Sequence, residues 1–582
     1  MKRSQRSAPP ATGQRRTGVM AVSGAGASFL LLAAHVAAAQ QPAPAGTSAP
    51  ASACRAATPI TTAGEFSGRP ISAVDVVTRA PDGLPGPASV VDNLHIRTRE
   101  ATVRRRLLFA AGDTVDTLRV AESVRRLRGL RYLADVGLLA GRCADGSVRL
   151  TVLTRDAWST QPTLKANGSS GGTLGLTESN VLGTGRSAKL YVRSDAGRIG
   201  LGAAYSDPWV LGSNLSASIY RNAYRDGASW GGGIATRSRS IFDPWHAELV
   251  VGRELRRAPG ATWGDTVIRD GAHLLVSHRV TASPRGATAL IAGLEYQSAA
   301  VSAAPGAMIV GPRTVRRAFA GVDVGATRRT AHYRQNSWLL GGDPARTPAN
   351  AATSRGIADL PVGFEGEGVV AVGRDFASGR PGLHADLWGG RVWVPGERWV
   401  VTTDAWASGY RLGNSWTAGS ARAAVGIMHP AARGLWTARI AGEQLTDPDP
   451  DVRALATVDP TLRALNTRSG LAETAFAASL ERSARLVAVG HGYTLHGALF
   501  GAASMRWDPA LPGTSSGTDR LYVGAAGLGI RLVPTRFGRA TLRLDLGFPL
   551  LRSASLPARP FIGFSIVPSF SAGRHRDGSS TP

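Results

Sequence analysis

Thr541-Leu542-Arg543-Leu544-Asp545-Leu546-Gly547-Phe548 is the stretch that decides the fold. Leu542, Leu544, Leu546 and Phe548 fall on one side of an extended chain, and Thr541, Arg543, Asp545 and Gly547 on the other. A period of two marks a strand with one apolar and one polar face. The pattern gains meaning from its company. Leu215, Ala217 and Ile219 alternate with Ser216, Ser218 and Tyr220; near the end, Ile562, Phe564, Ile566 and Phe570 lie opposite Gly563, Ser565 and Ser569. Such segments recur from about residue 162 to 570, separated by Gly, Asn, Asp and Pro, with no long helix between them.

What those strands face depends on where the chain goes. Lys2, Arg3, Arg6, Arg15 and Arg16 precede an apolar stretch from Val19 that ends Ala37-Ala38-Ala39. This reads as a secretory signal (residues 1–39) cleaved between Ala39 and Gln40. No later run of 18 apolar residues offers a transmembrane helix. In an exported chain, repeated two-faced strands predict a transmembrane antiparallel β-barrel. Every backbone N–H and C=O must be paired in lipid, so the sheet has to close. Residues 159–570 are expected to supply about 16 strands at roughly 25 residues per strand plus connection. A soluble array of β-sandwiches is the competing reading, because alternation alone does not say which face meets lipid.

Ahead of the barrel, residues 40–66 form an Ala/Pro-rich linker, and residues 67–158 carry mixed signals. A strand-like run around Ile71 to Val76 is followed by a helical stretch from Thr98 to Phe109. A second helix is expected with Asp113 as its cap, an apolar face of Leu118, Ala121, Val124 and Leu127, and a stop at Gly129. Strands over Ala134–Arg142 and Ser147–Asp156 flank Asp145-Gly146, a two-residue hairpin turn. The predicted order is β-α-α-β-β, a small α+β domain. Residues 571–582 are a polar tail.

Composition narrows the function. The formal net charge is +26, and Lys occurs only at Lys2, Lys165 and Lys189, so the charge is almost all Arg. These Arg residues are spread and aromatics make up 6%, which argues against nucleic acid as a partner. Cys54 and Cys143 would both reside in an oxidising compartment, either as one bridge or as two separate thiols; their spacing excludes C-x-x-C chemistry. Gly168-Ser169-Ser170-Gly171-Gly172 satisfies G-x-S-x-G but lacks the strand-to-helix flanks of a nucleophile elbow. None of the Lys residues sits in a P-loop, and His246-Ala247-Glu248 lacks the partners of a zinc motif. No catalytic, cofactor or metal site is expected.

The β-α-α-β-β segment resembles a POTRA domain of the BamA/TamA-like outer-membrane assembly factors. The similarity is carried by Val103-Arg104-Arg105-Arg106-Leu107-Leu108-Phe109, Gly112-Asp113 and the run from Leu127 to Val136. Glu178-Ser179-Asn180-Val181-Leu182-Gly183-Thr184-Gly185 resembles an early barrel turn of that family, and Tyr205-Ser206-Asp207-Pro208-Trp209 its Y-x-D-P-aromatic motif. The strands from Gly527 and Leu542 look like its penultimate pair. The family carries an Arg-Gly-aromatic loop tip that folds into the lumen; the matching stretch here is Leu462-Arg463-Ala464-Leu465, with Ala and Leu replacing Gly and the aromatic. The resemblance therefore implies a lumen lock between Arg463 and Glu481. It also implies an outer-membrane location, with the N-terminal domain in the periplasm, and a role in inserting or translocating unfolded protein clients. Outer-membrane lipid and periplasmic accessory proteins would be the other partners. A passive channel or structural barrel is the alternative.

Overall fold

The computed structural model describes residue 54, residues 58–59 and most of residues 63–568. Outside the described residues are 1–53, 55–57, 60–62, 82–94 and 569–582, together with connections that include 168–170, 337–357, 448–473, 508–519 and 553–559. The expected signal with its Ala39/Gln40 cleavage site, most of the linker and the tail therefore fall outside the described residues.

The N-terminal domain contains β1 (Thr58–Pro59), β2 (Ile71–Arg79), α1 (Glu100–Arg104), α2 (Thr117–Arg128), β3 (Leu133–Arg142) and β4 (Val148–Asp156). Its sheet runs β1-β3-β4-β2, with β2 parallel to β4 and β3 antiparallel to it. Val148, Leu150 and Val152 are buried as their alternation requires, and pack with Val74, Val76, Val103, Val120 and Leu127. Gly146, at φ +81°, makes the β3–β4 turn, and Gly129 ends α2.

The start of α2 differs from the expectation. Asp116, not Asp113, is its cap, accepting from the amides of Leu118 and Arg119. Thr114 is held extended in a bridge to Pro70, so the helix cannot begin until that pairing ends. Asp113 instead closes a turn by accepting from the Ala110 amide. The buried face rotates accordingly to Val120, Ser123 and Leu127, leaving Leu118 exposed.

The barrel closes with 20 antiparallel strands, not 16. They are β5 (Thr160–Asn167), β6 (Gly171–Val181), β7 (Arg186–Asp195), β8 (Arg198–Asp207), β9 (Leu215–Tyr224), β10 (Gly227–Thr236), β11 (Trp245–Arg257), β12 (Thr266–Ser283), β13 (Gly286–Ser302) and β14 (Thr314–Thr330). After a hairpin of β15 (Tyr333–Asn336) and β16 (Ala358–Pro361) come β17 (Gly363–Asp375), β18 (Arg380–Trp393), β19 (Val400–Leu412), β20 (Ser415–Ala431) and β21 (Gly434–Thr446). β22 (Thr474–Val489), β23 (Tyr493–Trp507), β24 (Arg520–Pro534), β25 (Ala540–Arg552) and β26 (Phe561–Pro568) complete it. The 25-residue spacing overestimated the connections: β7 ends at Asp195 and β8 starts at Arg198, and β9 ends at Tyr224 with β10 starting at Gly227.

Register fixes which face looks out. On β13, Leu290, Leu294 and Tyr296 are exposed, whereas Ile291, Glu295 and Ala299 are buried toward the lumen. Leu190, Ile199, Leu201 and Ile440 are each at least 60% exposed on the outer surface, as a lipid-facing band requires. No helix among the described residues is long and apolar enough to cross a membrane; the strands form the closed sheet that spans one.

Candidate functional site

Two regions of the barrel stand apart: the seam where the sheet closes, and the end on which the N-terminal domain sits. At the seam, β26 meets β5 through Gly563 opposite Asn167, Phe564 opposite Ala166, and Ser565 opposite Lys165. Elsewhere the ladders are long; β12 pairs with β13 from Thr266–Ser302 to Ser283–Gly286. Each seam strand also contains a proline, Pro162 and Pro568, that contributes no backbone donor. Gly563 adds no side chain to packing. Among the described residues, this is the shortest ladder in the barrel.

Close to the seam, the lumen wall carries an ionic cluster. Glu481 on β22 accepts from Arg531 on β24 at 3.1 and 3.2 Å and from Arg543 on β25 at 2.5 Å. Arg531 also pairs with Asp545 at 2.6 Å. Arg531 and Asp545 are almost fully buried. Small residues make this possible: a Cβ on Gly529 would lie 2.3 Å from Nη1 of Arg531 and 2.4 Å from Oδ1 of Asp545. The cluster fastens β22, β24 and β25 from inside, leaving the β26–β5 closure outside it.

Glu481 thus stands on the lumen wall, held by two guanidinium groups that reach it from β24 and β25 across the intervening β23. Arg463, its expected partner, lies outside the described residues, on the connection that leaves β21 at Thr446 and rejoins at Thr474. Most of the G-x-S-x-G match, residues 168–170, is also outside them. His246 and Glu248 sit 3.5 Å apart on β11. The structure joins Cys54 to Cys143 as a disulfide.

At the other region, the N-terminal domain grips the β6–β7 turn. The Gly183 carbonyl accepts from the Arg99 amide at 3.0 Å and from Thr102 Oγ1 at 2.9 Å, and Asn180 Nδ2 donates to Thr98 Oγ1 at 2.8 Å. Gly183 has φ +73°, and a Cβ there would meet the Arg97 carbonyl at 2.3 Å, so both conformation and closeness demand glycine. Arg105 and Arg106 approach the Trp209 ring of the β8–β9 connection at 5.8 and 5.9 Å. The motifs around Asn180 and Trp209 are therefore where domain and barrel meet.

The contact continues across the barrel end. Arg128, in the last turn of α2, makes a paired bond to Asp359 of the β15–β16 hairpin at 2.6 and 2.8 Å, with both side chains about nine-tenths buried. Arg125 lies 4.2 Å over the Tyr333 ring of the same hairpin. Burial pulls the Arg125 guanidinium down, but its bond to Glu122 and the charges of Tyr333, Glu122 and Asp359 raise it overall. Burial lowers Arg126 to about 10, with Glu122 and Asp243 of the β10–β11 connection opposing. The hairpin follows the tenth barrel strand, whereas the β6–β7 turn follows the second. The domain therefore spans the opening between two distant parts of the rim. The sequence marked the first anchor's residues as barrel motifs, not as a contact with the domain, and missed the hairpin, whose halves are short and separated by a long connection.

No family model and no curated protein matches the chain. Solved structures similar to it include BamA from Haemophilus ducreyi lacking POTRA domains 1–3, at 11% identity and TM-score 0.32, covering 85% of this chain and 84% of that one. CdiB from Escherichia coli matches at 12% identity and TM-score 0.40, covering 86% and 76%. CdiB from Acinetobacter baumannii matches at 12% and 0.34, covering 85% and 74%.

Proposed function

We propose that this chain is an outer-membrane barrel of the BamA/TamA-like kind that assists insertion or translocation of proteins, with its N-terminal POTRA-like domain in the periplasm. The observation that carries this reading is the β26–β5 seam, closed among the described residues by three residue pairs while longer ladders hold the rest of the barrel. Parting three pairs exposes two edges with unpaired N–H and C=O groups, and an extended client can add to either. Such recognition tolerates sequence variation because the backbone supplies the bonds.

The N-terminal domain offers a second edge. β3 lies next to the end of its sheet, where among the described residues Thr58 and Pro59 pair with Ala140 and Leu139. The segment Leu133–Leu138 extends beyond that short cover. A client strand added there would arrive at the barrel end to which the domain is fixed. The Cys54–Cys143 disulfide fastens the chain's own N-terminal stretch beside this edge, so the cover is retained in an oxidising compartment. The proposed role needs no catalysis.

Depletion in the native host tests the function. Loss of assembled or secreted outer-membrane clients, with solute permeability unchanged, supports it. Normal client assembly with altered permeability would instead identify a passive channel.

A further inference from the structure

The lumen acids of this chain are mostly met by arginine. Glu481 faces Arg531 and Arg543, Asp545 faces Arg531, and Asp404 faces Arg439. Midway round the barrel several carboxylates break this rule: Asp386 on β18, which accepts from Trp406 Nε1 at 3.2 Å, and the pair Asp323 and Glu295. Asp323 on β14 is fully buried, and its bonded partner is His273 on β12, whose Nε2 lies 3.1 Å from Oδ2. The other oxygen of Asp323, Oδ1, is buried with no hydrogen-bond partner among the described residues. Glu295 on β13, 6% exposed and directly opposite His273 in register, has both oxygens 2.8 to 2.9 Å from Nδ1 of His384.

We infer that His273, Glu295 and Asp323 form a binding site for a divalent transition-metal cation of the zinc type on the lumen wall. One ligand atom from each of the three lies within 4.8 Å of the others. Ligand atoms about a zinc ion sit roughly 3.4 Å apart, given bonds near 2.1 Å, so the His273–Asp323 pair is already at ligand spacing and Glu295 has a short distance to close. Two carboxylates supply two negative charges, which a divalent cation would neutralise where no arginine among the described residues does. An imidazole and two carboxylates are a ligand set that zinc accepts.

The surroundings suit the task. Gly293, opposite Asp323, and Gly321, opposite Glu295, leave space beside the ligands; a Cβ on Gly293 would sit 3.1 Å from Asp323 Oδ2. His384 donates to Glu295 from behind and stacks on Tyr410 at 4.4 Å, so the oxygen that does not bind metal stays oriented. His273 is the least buried of the three, which leaves the site open toward the lumen. A fourth position is therefore available to water or to a ligand passing through the barrel.

The full-length barrel, purified in detergent without a polyhistidine tag and stripped with chelator, tests the site by titration with Zn2+ against a chromophoric chelator. One ion per chain is expected at micromolar affinity or tighter, at least tenfold weaker in His273→Ala and in Asp323→Asn, and unchanged in His246→Ala. Co2+ should give a visible d–d absorption band that Zn2+ displaces. Absence of both stoichiometric zinc binding and the cobalt band in the unmodified chain would overturn the site, as would unchanged affinity in both variants. Should Asp323→Asn fail to give a heat-modifiable barrel, His273→Gln and the cobalt spectrum decide.

Discussion

Arg531 holds two carboxylates at once, and that makes it the most consequential side chain on the seam-side wall. Glu481 retains Arg543 if Arg531 is lost, but Asp545, 1% exposed, would lose its guanidinium partner at 2.6 Å. Removing one side of a buried pair costs about 3 kcal/mol. Arg531→Ala should therefore lower the temperature at which the folded barrel converts to the unfolded form on a gel, and Arg543→Ala should lower it less. Equal shifts would mean that the cluster is not organised around Arg531. Glu481 was legible at this scale, whereas its partners were not. The alternation of Arg543 and Asp545 with leucines showed that they share a face, but nothing in sequence spacing relates Glu481 to residues 50 and 62 positions later. His273, Glu295 and Asp323 were hidden for the same reason, lying on three successive strands that register alone aligns.

Among elements, the β15–β16 hairpin and α2 form the least expected joint. The last turn of α2 carries Arg125, Arg126 and Arg128, a basic end that suits the negative pole of the helix and reaches an acidic, aromatic hairpin. Arg128→Asp should loosen the domain from the barrel, seen as faster amide exchange in α2 and in residues 358–361, while the barrel itself remains folded. Asp359→Arg should do likewise, and the two reversals together should recover much of the protection. No recovery would show that the pair is not coupled. The domain's elements were readable because the soluble patterns are strong: Val148, Leu150 and Val152 alternate cleanly and Asp145-Gly146 marks the turn. The cap was misplaced by three residues because Asp113 and Asp116 are chemically equal candidates. The Pro70–Thr114 bridge, a tertiary feature, chose between them.

For the whole molecule, the fold class was legible and the strand number was not. Outward positions in the middle of the barrel include Gly366, Gly368, Ala405, Ala407, Ala421 and Ala423, and inward ones include Ala424, Ala441, Ala475 and Ala477. Small residues on both faces erase the contrast on which a period-two reading depends. Strands of up to 18 residues joined by short turns then merge in sequence. At the same scale, Cys54→Ser removes a link between residues 89 apart. It should increase amide exchange in β3 without abolishing the barrel's heat-modifiable migration. Unchanged exchange in β3 would mean that the N-terminal stretch covers this edge without help from the bridge.

For the barrel to act as proposed, the β26–β5 seam must part. Phe564 and Ala166 face each other across it, so a Phe564→Cys, Ala166→Cys pair can be oxidised into a staple. A control pair belongs in the long β13–β14 ladder, at Ala292→Cys and Val324→Cys. Client insertion into vesicles containing the folded, stapled protein is the decisive measurement. The seam staple should stop insertion, reductant should restore it, and the control staple should have no effect; undiminished insertion with the seam fully cross-linked would show that the seam need not part.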